Sequence, residues 1–474
     1  GKDCGLALQI VSHQGNHTLP PVALPVISLK ISSMLKVSLI TLGCSKNLVD
    51  SEVMLGILDR KGYQFTSDLN KAEVLIINTC GFIQPAREEA HQVIEQALEW
   101  KKQNAGRLVV VAGCYVERFP DFLKARYPQV DLWTGVKSFN RIDELIEQGH
   151  NPPEKGTFLL DHRTPRVIST VPFWAYVKIS EGCSHRCSFC SIPLIKGPYK
   201  SRRINSVVSE VRNLVSLGFK EINLVSHDTT YYGRDLGFKN GLARLLEKLL
   251  PIRGLEWIRI LYGYPEEVDE SLLDIMKEPK ICRYLDLPFQ HASASILKRM
   301  GRSMSGSRAL KLLDKIRKKV PGSVIRTSLI VGFPGEGERE FRELKDFVRA
   351  ARFEHLGVFC YSAEPGTRAS SLVDSIPENI KKERQREIIA VQKEISRDFY
   401  RSFLGKTIEV LMEGPHLKRK NWLTGRARFQ APEVDGLVLI EPGVQFIRRN
   451  LMPFYKVKIT RTLTYDLVGR IVDD

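Results

Sequence analysis

Cys183, Cys187 and Cys190 fall within eight residues, spaced Cys-x3-Cys-x2-Cys. Thiolates this close can all reach one metal centre. No fourth cysteine completes the pattern, so a cubane iron–sulfur cluster held here keeps one iron open for a substrate or cofactor. A structural zinc site is the competing reading. Zinc commonly takes four protein ligands on paired cysteine hooks, and no second hook lies nearby. Three more cysteines repeat a theme of their own, in Leu42-Gly43-Cys44, Asn78-Thr79-Cys80-Gly81 and Ala112-Gly113-Cys114. Each stands beside a glycine, which lets backbone approach closely. Either they hold a second cluster with an open iron, or they are three buried cysteines that happen to end strands.

The elements that position these residues follow from periodicity. A chain of 474 residues has room for about three domains. Apolar runs at 36–42, 74–78 and 108–112 predict strands that each stop just before one of the first three cysteines. Helical patterns at 51–61, about 85–102, 119–126 and 139–147 alternate with them, with Asp50 or Ser51 as the first N-cap. Residues 35–150 therefore read as a small parallel α/β domain, whose carboxyl edge gathers loops onto a ligand. Pro152, Pro153, Pro165 and Pro172 mark 151–172 as a linker.

A second βα series fills 173–403. Its strands are expected at 175–179, 221–225, 257–261, 284–287, 324–330 and 355–359, with helices between, as in a partial (β/α)6 barrel with function at the carboxyl strand ends. The first strand leads into the Cys183 loop. Others end on Ser226-His227-Asp228, Pro288-Phe289-Gln290-His291 and Gly332-Phe333-Pro334-Gly335-Glu336. His227 and His291 suit a ligand role or a core hydrogen bond. Cys282 and Cys360 read as core. Residues 404–474 hold five short strand signals, at 408–412, 422–427, 436–440, 455–460 and 467–471, and predict a small all-β barrel. Its Arg426, Arg428, Arg448, Arg449 and Lys456 suit nucleic acid, a protein partner or a solvated face. Residues 1–33 lack periodicity and read as a disordered extension, which leaves Cys4 without a role.

The net charge is +17. Residues 35–150 carry 14 Lys+Arg against 15 Asp+Glu, 151–403 carry 43 against 30, and 404–474 carry 12 against 8. The excess lies around the Cys183 loop, which favours nucleic acid, a partner embedded in it, or general solubility. No apolar run is long enough to span a membrane and the start is a poor signal peptide. The nine cysteines are odd in number. They predict metal ligation in a reducing, cytoplasmic setting rather than a disulfide framework.

Across residues 35–474 the chain resembles the methylthiotransferases of the radical S-adenosylmethionine superfamily. The Cys-x3-Cys-x2-Cys loop, the three cysteines before it and a C-terminal barrel of the TRAM type carry the likeness. Leu42-Gly43-Cys44-Ser45-Lys46-Asn47, Asn78-Thr79-Cys80-Gly81-Phe82-Ile83, Pro288-Phe289-Gln290-His291 and His227-Asp228-Thr229-Thr230-Tyr231-Tyr232-Gly233 resemble the branch acting on an aspartate of small-subunit ribosomal protein S12. The alternative branch modifies adenosine in tRNA, and its usual Gly-Cys-Gln-Met-Asn motif is missing. Gly335-Glu336-Gly337-Glu338 departs from the family's Gly-Glu-Thr but keeps Glu336.

The resemblance implies two 4Fe-4S clusters, one on Cys183, Cys187 and Cys190, the other on Cys44, Cys80 and Cys114. It implies S-adenosylmethionine near Phe189, Ser226, Gln290, Arg326 and Glu336, cleaved to a radical that activates the β-carbon of the target aspartate. The second cluster would supply the sulfur. Partners implied are protein S12, free or in the ribosome, an electron-donor protein, and RNA through the TRAM barrel, with no membrane. An iron–sulfur RNA-binding or redox-sensing protein without turnover would explain the cysteines and charge, but not two sets that each leave an iron open.

Overall fold

The computed structural model describes residues 35–150, 156–373, 376–442 and 452–472. The expectations for residues 1–33, Cys4, Pro152, Pro153, Arg448 and Arg449 lie outside them. Among these described residues two compact units emerge: those within 35–169, 181–184 and 190–200 form one, and those within 170–180, 185–189 and 201–472 the other.

The first unit is built on a parallel sheet in the order β2-β1-β3-β4-β5, from β1 (Lys36–Thr41), β2 (Gln64–Phe65), β3 (Val74–Thr79), β4 (Leu108–Gly113) and β5 (Leu132–Thr134). Edge strands β2 and β5 are too short to show alternation in the sequence. The central strands are almost wholly apolar because both sheet faces are covered. One face packs on Val53, Met54 and Leu58 of α1 (Ser45–Arg60) and Ile142 and Leu145 of α5 (Ile142–Gln148). The other meets Ala90, Ile94 and Trp100 of α2 (Gln84–Lys102) and Leu123 of α4 (Pro120–Arg126).

Helix α1 begins six residues before its expected start. Cys44, in extended conformation, is its N-cap, not Asp50 or Ser51. Ser45, Lys46, Asn47, Asp50, Ser51 and Glu52 are all buried, so the polar residues of its first turns do not mark an outer face and the amphipathic pattern fails there. Residues 156–169 run back along this unit. Phe158 sits edge-on to Phe139 at 5.4 Å between centroids. Arg166 Nε donates to Glu52 Oε2 at 2.8 Å, and Ser169 N donates to Glu52 Oε1 at 2.7 Å.

The second unit contains a six-stranded parallel sheet in the order β13-β12-β11-β10-β9-β6. Its strands are β6 (Trp174–Lys178), β9 (Glu221–Val225), β10 (Trp257–Ile260), β11 (Ile281–Asp286), β12 (Val324–Val331) and β13 (His355–Cys360). Short strands β7 (Ser180–Glu181) and β8 (Lys200–Ser201) flank the Cys183 loop in sequence. The intervening helices are α7 (Ile204–Ser216), α8 (Gly241–Leu249), α9 (Glu270–Ile275), α10 (Ala294–Arg299), α11 (Gly306–Lys319), α12 (Glu338–Ala351) and α13 (Glu378–Arg401). Strand β11 starts three residues earlier than its sequence signal, at Ile281.

A closed barrel follows, in the order β14-β15-β16-β18-β17, from β14 (Thr407–Pro415), β15 (Leu423–Arg426), β16 (Val438–Ile440), β17 (Phe454–Thr462) and β18 (Leu467–Ile471). The stretch from Arg426 to Asp435 docks on the amino-terminal end of the six-stranded sheet. Arg426 reaches Glu221, the first residue of β9, at 2.6 Å, and Arg259 of β10 holds the same carboxylate at 2.9 Å. Asp435 accepts from Tyr284 Oη of β11 at 2.7 Å and from Arg326 Nη1 of β12 at 2.6 Å. Tyr176 of β6 donates to Glu433 at 2.9 Å, and His355 Nε2 of β13 donates to the Phe429 carbonyl at 2.9 Å. Arg426 is thus fully buried and is no part of a solvated face. Arg428 turns to the Pro279 carbonyl, while Lys456 is exposed.

Candidate iron–sulfur centres

Cys44, Cys80 and Cys114 follow β1, β3 and β4, three neighbouring strands. Their loops are drawn together by one side chain, Asn47 in the first turn of α1. Its Nδ2 donates to Leu42 O at 3.0 Å and Thr79 O at 3.1 Å, and its Oδ1 accepts from Cys114 Sγ at 3.4 Å. Asn78 Nδ2 donates in turn to Asn47 O at 2.9 Å. Glycine makes the approach possible. A Cβ on Gly43, at φ +94°, would lie 2.7 Å from Cys80 Cβ, and one on Gly113, at φ +100°, 2.6 Å from Thr79 O. Arg118 Nη1 fastens the Cys80 loop by donating to Gly81 O at 2.8 Å.

Burial favours the neutral thiol at two of these cysteines. Burial pushes Cys80 up to about 11, and Cys44 beside it adds to the rise. Burial raises Cys114 as well, although Lys196 pulls the other way. Ligation demands the thiolate, so bound iron would reverse this balance. Among the described residues no three His, Cys, Asp or Glu side chains converge tightly enough to grip a single ion. A cubane is larger than one ion and spreads its ligand sulfurs over its corners, so an all-thiol set on three adjoining loops fits a cluster better than zinc. None of the eight described cysteines is in a disulfide.

The loop of Cys183, Cys187 and Cys190 lies between β7 and α6 (Ile192–Lys196). In the first unit, Cys183 N donates to Gly197 O at 3.1 Å, and Ser191 Oγ to Phe82 O at 3.4 Å. Lys196 is buried there. Its Nζ lies 2.9 Å from Asp50 Oδ2 and 3.7 Å from Glu181 Oε1. Burial alone would lower its pKa, but Asp50 and Glu181 outweigh that and hold it well above the usual lysine value. Ile195 packs against Cys114 and Val136.

In the second unit, the middle of the loop is pinned by backbone and side chains. Ser188 N donates to Met300 O at 2.8 Å and Ser188 Oγ to Arg299 O at 2.7 Å. His185 Nε2 donates to Asp228 Oδ2 at 2.5 Å. Arg302 Nη1 lies 3.8 Å from Cys187 Sγ.

The residues expected near S-adenosylmethionine occupy varied settings. Phe189 joins an apolar cluster with Met300, Phe333 and Tyr361. Ser226 is buried at the end of β9, 3.4 Å from Thr229 Oγ1. Gln290 has φ +70°, a left-handed conformation that is costly for a residue with a Cβ. Its backbone is held between Ser328 O and Ile330 N. Glu336 is engaged inside the protein: Oε1 accepts from Arg384 at 2.8 Å and Oε2 from Gly332 N at 2.9 Å, with His291 Nε2 at 3.2 Å. His291 Nδ1 accepts from Ser293 N at 3.0 Å, so this histidine completes a core network. Arg326 faces Asp435, level with the first residue of β13. Cys282 is fully buried and Cys360 partly so.

Three family models match the chain: Uncharacterized protein family UPF0004 over residues 36–135, the Radical SAM superfamily over 177–348 and the TRAM domain over 404–472. A ribosomal protein uS12 methylthiotransferase RimO of Pelobacter propionicus is 41% identical over 443 residues, covering 92% of this chain and 98% of that protein. The one from Aquifex aeolicus is 44% identical over 437 residues, covering 92% and 97%. The chain belongs to the uS12 methylthiotransferase family. Among solved structures, the radical S-adenosylmethionine methyltransferase TsrM from Kitasatospora setae, with cobalamin and a 4Fe-4S cluster bound, shares the fold. Its TM-score is 0.53 at 16% identity, covering 72% of this chain and 77% of that one.

As a radical S-adenosylmethionine methylthiotransferase, the chain uses S-adenosylmethionine and a 4Fe-4S cluster. The family's cysteine spacing was plain in the sequence. Asn47, Lys196 and Arg302 were not singled out there. Asn47 lay inside a quoted motif, but two of its partners are 32 and 67 residues away, and nothing local marks such bonds.

Proposed function

We propose that the chain methylthiolates the β-carbon of an aspartate in ribosomal protein uS12, using two 4Fe-4S clusters. The observation that carries this reading is the pairing of two three-thiol sets in a chain 41% identical to uS12 methylthiotransferases over 92% of its length. Cys183, Cys187 and Cys190 are the ligands of the first cluster, and Cys44, Cys80 and Cys114 those of the second. Bound there with S-adenosylmethionine, the first would supply the radical chemistry that an unactivated C–H bond requires, because no side-chain acid or base can ionise it at neutral pH.

The protein's own contribution is placement. Asn47 brings the three N-terminal loops within reach of one centre. Ser226 and Gln290, at strand ends, are the residues assigned to cofactor contact, and the constrained Gln290 backbone supports a functional role. Phe189 serves as an apolar wall. Glu336 shapes the Gly332–Gly335 turn through its backbone bond, and Arg326 is assigned to the C-terminal barrel instead of the cofactor. The substrate is uS12, free or in the ribosome, with the TRAM barrel contacting RNA, a separate protein delivering electrons, and the cytoplasm as the setting. Among the described residues no helix is long and apolar enough to cross a membrane.

Mass spectrometry of uS12 and of tRNA from cells with and without the gene tests the assignment. Deletion should remove the methylthio mass from the aspartate of uS12 and leave tRNA adenosines unchanged. A methylthio mass lost from adenosine, with uS12 intact, would transfer the enzyme to the tRNA branch.

A further inference from the structure

Arg302 follows α10 and is 7% exposed. Its guanidinium carbon lies over the Tyr264 ring, 3.9 Å from the centroid. Nη2 donates to Pro288 O at 2.7 Å, which leaves Nη1 turned to Cys187 Sγ at 3.8 Å. Nε has no hydrogen-bond partner, and Glu266 Oε2 lies 3.8 Å from Nη2.

Tyr264 is itself sandwiched. Its other neighbour is His185, with ring centroids 3.8 Å apart and planes 8° from parallel. Asp228 fixes that imidazole, and Thr230 Oγ1 and Tyr231 N fix Asp228 in turn, at 2.6 and 3.1 Å. Thr230 Oγ1 also accepts from Tyr264 N at 2.9 Å. The residues after β9, β10 and β11 thus build one layered stack that ends on a cationic fork facing a candidate ligand sulfur.

We infer that Arg302, held by the Tyr264–His185–Asp228 stack, is a positioning residue that sets the reduction potential of the cluster on Cys187. The inference rests on the cysteine assignment above. The reduced cluster carries one more negative charge than the oxidised one, and the electron comes from the external donor. A buried, permanently cationic N–H donor beside a ligating sulfur stabilises the more negative form. Its effect is to raise the potential into the donor's reach. Lysine cannot stack flat on Tyr264, but it keeps the charge.

The test is an EPR-monitored redox titration of the reconstituted full-length protein, following the reduced-cluster signal that changes on addition of S-adenosylmethionine. Iron and sulfide are assayed in parallel. Arg302→Met should keep its iron and titrate at a more negative potential, with a roughly tenfold weaker reduction equilibrium, ~59 mV for one electron. Arg302→Lys should recover most of that shift. A wild-type potential in a fully loaded Arg302→Met protein overturns the inference. So does loss of iron that Arg302→Lys fails to restore, since Arg302 would then serve folding. Failure of the cysteine assignment is separately visible: Cys187→Ala would then retain the wild-type iron content and the S-adenosylmethionine-sensitive signal.

Discussion

Asn47 shows how much of this site rests on a residue with no chemistry of its own. One carboxamide joins the carbonyls before Cys44 and Cys80 to the thiol of Cys114. Asn47→Ala should lower iron affinity of the N-terminal cysteines by about 10–100-fold, the usual effect of losing a neighbour that orients ligands. Iron per chain at limiting iron, measured in a Cys187→Ala background, checks this, and unchanged iron would make Asn47 dispensable. The candidate ligands were legible in the sequence because thiols are few, those of the Cys183 loop are closely spaced and the other three each follow a strand signal. Their supports were not, because Asn47 and Arg302 act through partners far along the chain, and an asparagine or arginine is ordinary anywhere on a surface.

At the scale of elements, the strands announced themselves through apolar runs that end on glycine and cysteine. Helix α1 did so only in part. Its first turns are buried with their polar groups paired internally, so the usual contrast of wet and dry faces is absent. Lys196 of α6 belongs to that interior: its ammonium faces Asp50 of α1 and Glu181. Breaking a buried pair leaves an uncompensated charge, so Lys196→Met should cost ~3–5 kcal/mol of stability. Replacing both partners, in Lys196→Met with Asp50→Leu, should return much of it. Denaturant unfolding of the two variants decides the matter, and equal losses would mean that Asp50 is not the group left stranded.

At the scale of the whole molecule, the charges linking the C-terminal barrel to the six-stranded sheet make stability depend on acid. Burial would raise the pKa of Glu221, but Arg426 and Arg259 overcome it and hold the group below the ordinary range. Burial opposes Asp435 likewise, and His355 and Arg326 prevail. A carboxylate depressed in the folded state binds fewer protons than the unfolded chain does. Its stabilisation is therefore complete above the unfolded value, ~4, and disappears as pH falls through the lower folded value. Asp435→Asn should melt at lower temperature than the natural chain at neutral pH, yet lose less on further acidification. Melting curves from neutral pH to about pH 3 measure both slopes, and parallel slopes would exclude Asp435 as a source. None of this was visible in the sequence, where residues 428–435 read as a turn between two short strands.

The stretch from Arg426 to Asp435 also bears on how such enzymes can be taken apart and recombined. A boundary near residue 404 divides the sequence cleanly, as the TRAM match from that position illustrates. It does not divide the wiring, because Glu221, Arg259, Tyr284 and Arg326 find their partners across it. A shortened chain ending there would leave Glu221 with Arg259 but without Arg426, and would take Asp435 from Tyr284 and Arg326. A chimera with a TRAM barrel from another enzyme would inherit the same defect unless those ten residues travelled with the host sheet. Loss of activity in either would report a ruptured scaffold before it reported anything about RNA.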